Sequence, residues 1–228
     1  MTTIITCEHA GNQVPECYNH IFENLKDVLE SHRGWDPGAL EIARYLAAEC
    51  NAPLFSCDVT RLLIEPNRSL HSNQLYSEYS QSLFETEHER ILQQYYYPHR
   101  NGVEDVISKM SKPALHLSIH TFTPVLNGNI RNLDIGILFD PERTTEFDFS
   151  RRLYEGLEQT LPFFTVKFNE PYHGTDDGFT TYLRTKFSET EYLGIEIEVN
   201  QKHVGTQNWE MVAVGLKEVL IDILYEGV

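Results

Sequence analysis

The chain has 228 residues, a length suited to one large domain, 1–228, that buries its own core without staples. A composition of 41% hydrophobic and 23% charged residues is ordinary for a globular protein, and a formal charge of −16 argues against nucleic acid and anionic membranes as partners. Four cysteines (Cys7, Cys17, Cys50 and Cys57) without a CxxC pair argue against disulfides and a cysteine-only zinc site, and no leader or long apolar run is visible, so a reducing, cytoplasmic setting is expected.

Along the chain, β-like runs at 3–6, 54–59, 115–119, 134–139, 164–168 and 193–199 alternate with helical patterns at about 18–30, 38–50, 81–97, 103–110, 143–160 and 207–225. The last helix is the clearest, with Val212, Leu216, Val219, Leu220, Ile223 and Leu224 at helical spacing. This alternation predicts an α/β fold: a mixed, mostly parallel central sheet with helices on both faces, a three-layer α/β/α arrangement. In such sheets ligands bind at the carboxyl ends of the strands, and His9, Arg61, His120 and Glu198 all fall at those ends.

His9 closes the run "ITCEH" and His120 closes "LHLSIH". A single histidine at a strand exit more often bonds a loop, but two at analogous exits point to a pair of metal ligands. Zinc takes imidazoles and carboxylates and leaves a position open in catalytic sites. Glu8, Asn12 and Asp36 can supply a third ligand, although Asp36 before Pro37 also reads as a helix N-cap. In "GIEIEVNQ", period two puts Glu196, Glu198 and Asn200 on one face and Ile195, Ile197 and Val199 on the other. On an edge strand the glutamates face water; on a central strand buried carboxylates need a partner or a metal. In "RLLIEPNRS" an arginine can grip a carboxylate in a bidentate fork and Asn67 can add an amide. Taken alone, that segment reads as a surface turn with Glu65 and Arg68 solvated.

Three segments together are more specific. "SIHTFTP" resembles the strand end of zinc carboxypeptidases that carries a metal-binding histidine, "IEPNRS" resembles their Asp-x-Asn-Arg carboxylate clamp, and "IEVNQ" takes the place of the strand with their catalytic glutamate. Closer still, "CEHAGNQVP", "GWDPGA", "RLLIEPNR" and "IEIEVNQ", in that order over about residues 5–205, are similar to the N-formylglutamate amidohydrolase family. The resemblance implies a zinc-carboxypeptidase-like fold and a zinc-dependent hydrolase of N-acyl amino acids, with N-formyl-L-glutamate, a small anionic substrate, first in line. It makes His9 and His120 metal ligands, Glu198 the catalytic acid–base, and Asn67 with Arg68 the clamp. Arg61 then polarises the scissile carbonyl or binds a second carboxylate. The carboxypeptidase His-x-x-Glu pair is replaced here by His9-Ala10-Gly11-Asn12, and Asn is a poor zinc ligand beside a carboxylate, which leaves Asp36 favoured over Glu8 as third ligand. The segment 169–183 fits a substrate loop, with His173, Gly178 and Thr180 as contacts. The tract "QQYYYPHR" reads as helix end and packing. A peptidase or amidase acting on a peptide or cell-wall fragment, and a non-catalytic binding protein on the same scaffold, are the alternatives.

Overall fold

Period-two alternation in the long strands decides how the layers stack. The computed structural model describes residues 1–225. Its strands are β1 (Thr2–Cys7), β2 (Leu54–Ser56), β3 (Ala114–Phe122), the short hairpin β4 (Val125–Leu126) and β5 (Asn129–Ile130), β6 (Ile135–Leu138), β7 (Val166–Phe168) and β8 (Tyr192–Asn200). Six of them form one sheet in the order β2-β1-β3-β8-β6-β7. All neighbours run parallel except β8 and β6, so the sheet is mixed and mostly parallel, as expected.

The odd-numbered residues of β3 and β8, among them Leu117, Ile119, Ile195 and Ile197, bury one face of the sheet under α2 (Ala39–Glu49), α5 (Thr144–Thr160) and α7 (Gln207–Tyr225). The opposite face is apolar only at its amino-terminal end. There Ile4, Ala114 and Tyr192 pack on Val103 and Ile107 of α4 (Tyr97–Lys109) and on Phe179 and Leu183 of α6 (Phe179–Lys186). Toward the carboxyl ends the same alternation sets Ser118, His120, Glu196 and Glu198 on that face. Every residue of β3 and β8 is buried, so β8 is a central strand and its two glutamates do not simply face water.

Four expectations are corrected. The helix at 18–30 is a 3₁₀ turn at Glu16–Ile21 and a single turn, α1 (Lys26–Leu29), because Asn24 between them sits at φ 64° and breaks the ladder. The helices at 81–97 and 103–110 are one continuous rod: α3 (Glu85–Ile91), a π turn at Leu92–Tyr96, then α4. Pro98 falls just after the π turn, where the regular bonding ladder is already interrupted. Gly102 lets the rod lie against the sheet: a Cβ there would stand 3.0 Å from the Phe55 ring. The strand at 54–59 ends at Ser56, and the chain then follows the loop after β1 through the Cys57 N–H to Cys7 O bond and the Gln13–Val59 bridge. The segment 169–183 is loop only to Gly178, where α6 begins.

Candidate metal-centred active site

β1 and β3 are neighbours, so His9, just past the end of one, and His120, near the end of the other, meet above the sheet with ring centroids 5.0 Å apart. Asp36 arrives from the loop before α2. Its N–H is fixed to His9 O at 3.0 Å, and its carboxylate does not cap the helix; Gly38 occupies that position at φ 87°. A Cβ on Gly38 would come within 2.5 Å of the Trp209 ring, so only glycine lets the chain turn there and aim Asp36 inward. Asp36 Oδ2 lies 3.1 Å from His9 Nδ1 and 3.0 Å from His120 Nδ1. One donor atom from each of the three buried residues lies within 4.8 Å of the others, a group that can hold a metal ion.

The far sides of both rings are also engaged. His9 Nε2 meets Glu65 Oε1 at 2.5 Å, and His120 Nε2 meets Ser118 Oγ at 2.9 Å and Glu8 Oε2 at 3.2 Å. This is the pattern of metal-binding histidines: one nitrogen turned to the centre, the other held by a carboxylate that fixes the tautomer and the ring angle. Two imidazoles and one carboxylate are also the donor set that zinc takes in catalytic sites. Burial disfavours charge on Asp36, Glu8 and Glu65, yet their cationic neighbours outweigh it and hold all three below the ordinary carboxylate range: His9, His120 and Arg61 for Asp36, His120 and His99 for Glu8, and Arg61 and His9 for Glu65. Burial likewise opposes charge on His120, but Asp36 and Glu8 on either side raise it well above the usual imidazole value. Ionised carboxylates around the two imidazoles give the cluster the negative setting in which a cation fits.

Glu8 and Asn12, the alternative third ligands, are placed elsewhere. Glu8 braces His120 from behind and reaches His99 Nε2 at 3.3 Å. Asn12 gives its amide to Leu29 O at 2.9 Å.

Glu198 pairs with His120 across β3 and β8 and is buried at the cleft floor. Its Oε2 has no hydrogen-bond partner among the described residues. Burial pushes its carboxyl up to about 8, helped by the carboxylates of Asp36 and Glu196 and opposed by His120 and Arg61. Gly136 on β6 gives it room: a Cβ there would stand 3.3 Å from Glu198 Cβ and 2.0 Å from Glu170 O.

The turn 61–68 forms the facing wall. Arg61 gives Nε to Glu65 Oε2 at 2.7 Å and Nη1 to Asp36 Oδ1 at 3.3 Å. Asn67 takes the Phe179 N–H on its Oδ1 at 2.6 Å, and Arg68 gives Nη1 to the carbonyls of Asn67 and Asp177, each at 2.9 Å. Glu65, read above as solvated, is buried: its carboxylate joins His9, Arg61 and the Asn67 N–H (3.0 Å). The signal for it was present, since it holds the acidic position of the Asp-x-Asn-Arg clamp. Gly178 and His173 line the cleft, a cavity of about 160 Å³, together with Tyr172, Asp176 and Asp177 of the same loop and Glu196, while Thr121 and Leu138 add lining that sequence reading did not pick out. Thr180 lies beneath the surface, its hydroxyl bonded to Glu196, so it supports the lining rather than facing a ligand.

The profile of a family described as N-formylglutamate amidohydrolase matches residues 1–204. The chain belongs to this family. It is an amidohydrolase fold member by that match, and its structure is similar to that of gene product Atu2144 from Agrobacterium tumefaciens, with a TM-score of 0.83 and 28% identity over 98% of this chain and 90% of that one. A weaker likeness, TM-score 0.49 at 12% identity and 98% of each chain, is to the CwlD amidase from Clostridioides difficile in complex with the GerS lipoprotein. No curated protein matches the sequence. Among the described residues no helix is long and apolar enough to cross a membrane, and all four cysteines are free.

Proposed function

We propose that this chain is a metal-dependent amidohydrolase that cleaves N-formyl-L-glutamate to formate and L-glutamate. The observation that carries the reading is the convergence, in one cleft, of the His9–Asp36–His120 cluster, the buried Glu198 carboxyl with its free Oε2, and the arginines of the turn 61–68. A cavity of about 160 Å³ suits a small molecule better than a polymer.

His9, Asp36 and His120 would hold the ion, and zinc is the metal this donor set suits. When bound, it supplies Lewis acidity at the cleft floor, making a water nucleophilic near neutral pH and polarising an amide carbonyl. Glu198 takes the proton of the attacking water on its carboxylate and passes it to the nitrogen of the leaving amine, one group serving as base and then acid. Arg61 faces the same space and stabilises the charge that grows on the carbonyl oxygen. Asn67 and Arg68 orient the substrate through its α-carboxylate. Glu65 holds His9, Arg61 and the backbone of the clamp turn together. A half-buried arginine clamp in a chain of charge −16 is a local exception that recruits a small anion.

The test is to incubate zinc-loaded protein with N-formyl-L-glutamate and measure formate and glutamate separately. Equal release of both is expected, with N-acetyl-L-glutamate slower. Absence of both products, with turnover of a peptide or cell-wall amide instead, would move the activity to another substrate class.

A further inference from the structure

Arg61 is held by the Glu65 and Asp36 carboxylates at the centre of the site. Other arginines, such as Arg33, Arg143 and Arg184, also meet carboxylates. Arg131 differs. Among the described residues its guanidinium pairs with no carboxylate; it gives Nη1 to the Tyr172 hydroxyl at 3.1 Å and lies over the rings of Tyr172 (5.2 Å) and Phe122 (5.7 Å). Tyr172 lines the cleft and is 40% exposed.

Arg131 itself is not part of the cleft lining, and its backbone ties it beside the strand ends that carry the site. The Arg131 N–H bonds Pro124 O at 2.8 Å, and Arg131 O accepts from Asn200 Nδ2 at 3.0 Å. Asn200 ends the strand two residues after Glu198, and Phe122 ends its neighbour two residues after His120. Arg131 therefore stands at the carboxyl ends of the two strands that carry the catalytic glutamate and a metal ligand. The cleft lining is otherwise rich in carboxylates: Asp36, Asp176, Asp177, Glu196 and Glu198. An anionic substrate side chain entering it is repelled unless an unpaired cation receives it. The Tyr172 and Phe122 rings lie against the guanidinium, and among the described residues its hydrogen-bond partner is the neutral Tyr172 hydroxyl.

We propose that Arg131, oriented by Tyr172, receives the side-chain carboxylate of the substrate and sets the preference for acidic over neutral acyl amino acids. This rests on the hydrolase reading above, in which Arg68 takes the α-carboxylate.

The test is binding of the amino-acid product, which needs no turnover: calorimetric titration of zinc-loaded protein with L-glutamate and with L-glutamine. The wild-type chain is expected to bind glutamate about 10- to 100-fold more tightly, the range of one charge-assisted contact. Arg131→Met is expected to abolish that ratio while leaving glutamine affinity unchanged, which also shows that the site is intact. Tyr172→Phe, which deletes only the orienting hydroxyl, is expected to reduce the ratio in part. No preference in the wild type, a preference that survives Arg131→Met, or equal loss of both ligands in Arg131→Met with the Tyr172→Phe ratio unchanged would overturn the proposal. Formate release from N-formyl-L-glutamate, measured on the same protein, tests the hydrolase reading separately. A glutamate preference that depends on Arg131, without formate release, would keep this subsite and remove that reading.

Discussion

His116 lies on β3 in the row that continues to Ser118 and His120, so its protonation state bears on the floor of the site. It is fully buried, with Nε2 2.7 Å from Thr6 Oγ1 and Nδ1 2.7 Å from the Tyr192 hydroxyl. Burial lowers it to about 4, with Glu8 opposing and His99, Arg184 and His120 adding to the fall. The unfolded chain takes up this proton near pH 6.5 and the folded chain only near 4, so between those values the unfolded state binds more protons. Stability is therefore intact above pH 6.5 and lost as the pH falls. A gap of about 2.5 units at 1.36 kcal/mol per unit gives a full loss of about 3 kcal/mol, of which about 2 kcal/mol is reached by pH 5. His116→Gln keeps polar atoms toward Thr6 and Tyr192 and does not titrate. Urea unfolding of both metal-free proteins at pH 7.5 and pH 5 isolates the effect, because the other buried groups are common to the two. The wild type is expected to lose about 2 kcal/mol more than the variant over that interval. An equal loss in both would show that His116 is not held neutral, and the reasoning from burial would fail.

Glu198→Gln keeps the shape of the side chain and removes its proton transfer; kcat is expected to fall about 10²- to 10⁴-fold while zinc content stays at the wild-type level, measured by formate release and elemental analysis. Glu65→Gln places an amide against Arg61 and weakens the brace on His9, and zinc affinity is expected to drop about 10- to 100-fold in a chelator competition titration. Gly38→Ala forces a side chain into a left-handed position against Trp209, and a loss of at least about 1–2 kcal/mol in urea unfolding is expected, together with weaker zinc binding because Asp36 is displaced.

The parts of this molecule that were legible in its sequence are those where one local rule operates. Ile195, Ile197 and Val199 alternate with Glu196, Glu198 and Asn200, and that pattern both makes β8 a strand and sorts its two faces. Its apolar alternate face suggests a sheet interior, and the structure places it there, between β3 and β6. The last helix was legible from its period alone. The segment 18–30 was not, because nothing in its apolar spacing reveals that Asn24 adopts a left-handed conformation. The rod from Glu85 to Lys109 was read as two helices, but its π turn accommodates Pro98 and the Phe55 ring packs against Gly102, so it runs on without a break.

At the site, His9, His120 and Glu198 declared themselves by their position at strand ends. Asp36 remained open between ligand and helix cap, since both roles suit an aspartate before proline; only the packing of Gly38 on Trp209 shows which way it points. Glu65 was misread as solvated because its partners, His9 and Arg61, are brought to it by the fold. Tyr172 lay in the segment read as a substrate loop but was not singled out, and Arg131 had no signal, since the two meet only through a fold contact between segments 41 residues apart.

The central claim, a metal-dependent hydrolase built on His9, Asp36 and His120, is tested most directly by titrating chelator-treated protein with zinc while following formate release from N-formyl-L-glutamate. Activity should rise in step with bound metal and level off at one ion per chain, and His120→Ala should neither bind the ion tightly nor gain activity. Full activity in the chelated protein, or activity in His120→Ala equal to the wild type, would contradict the account.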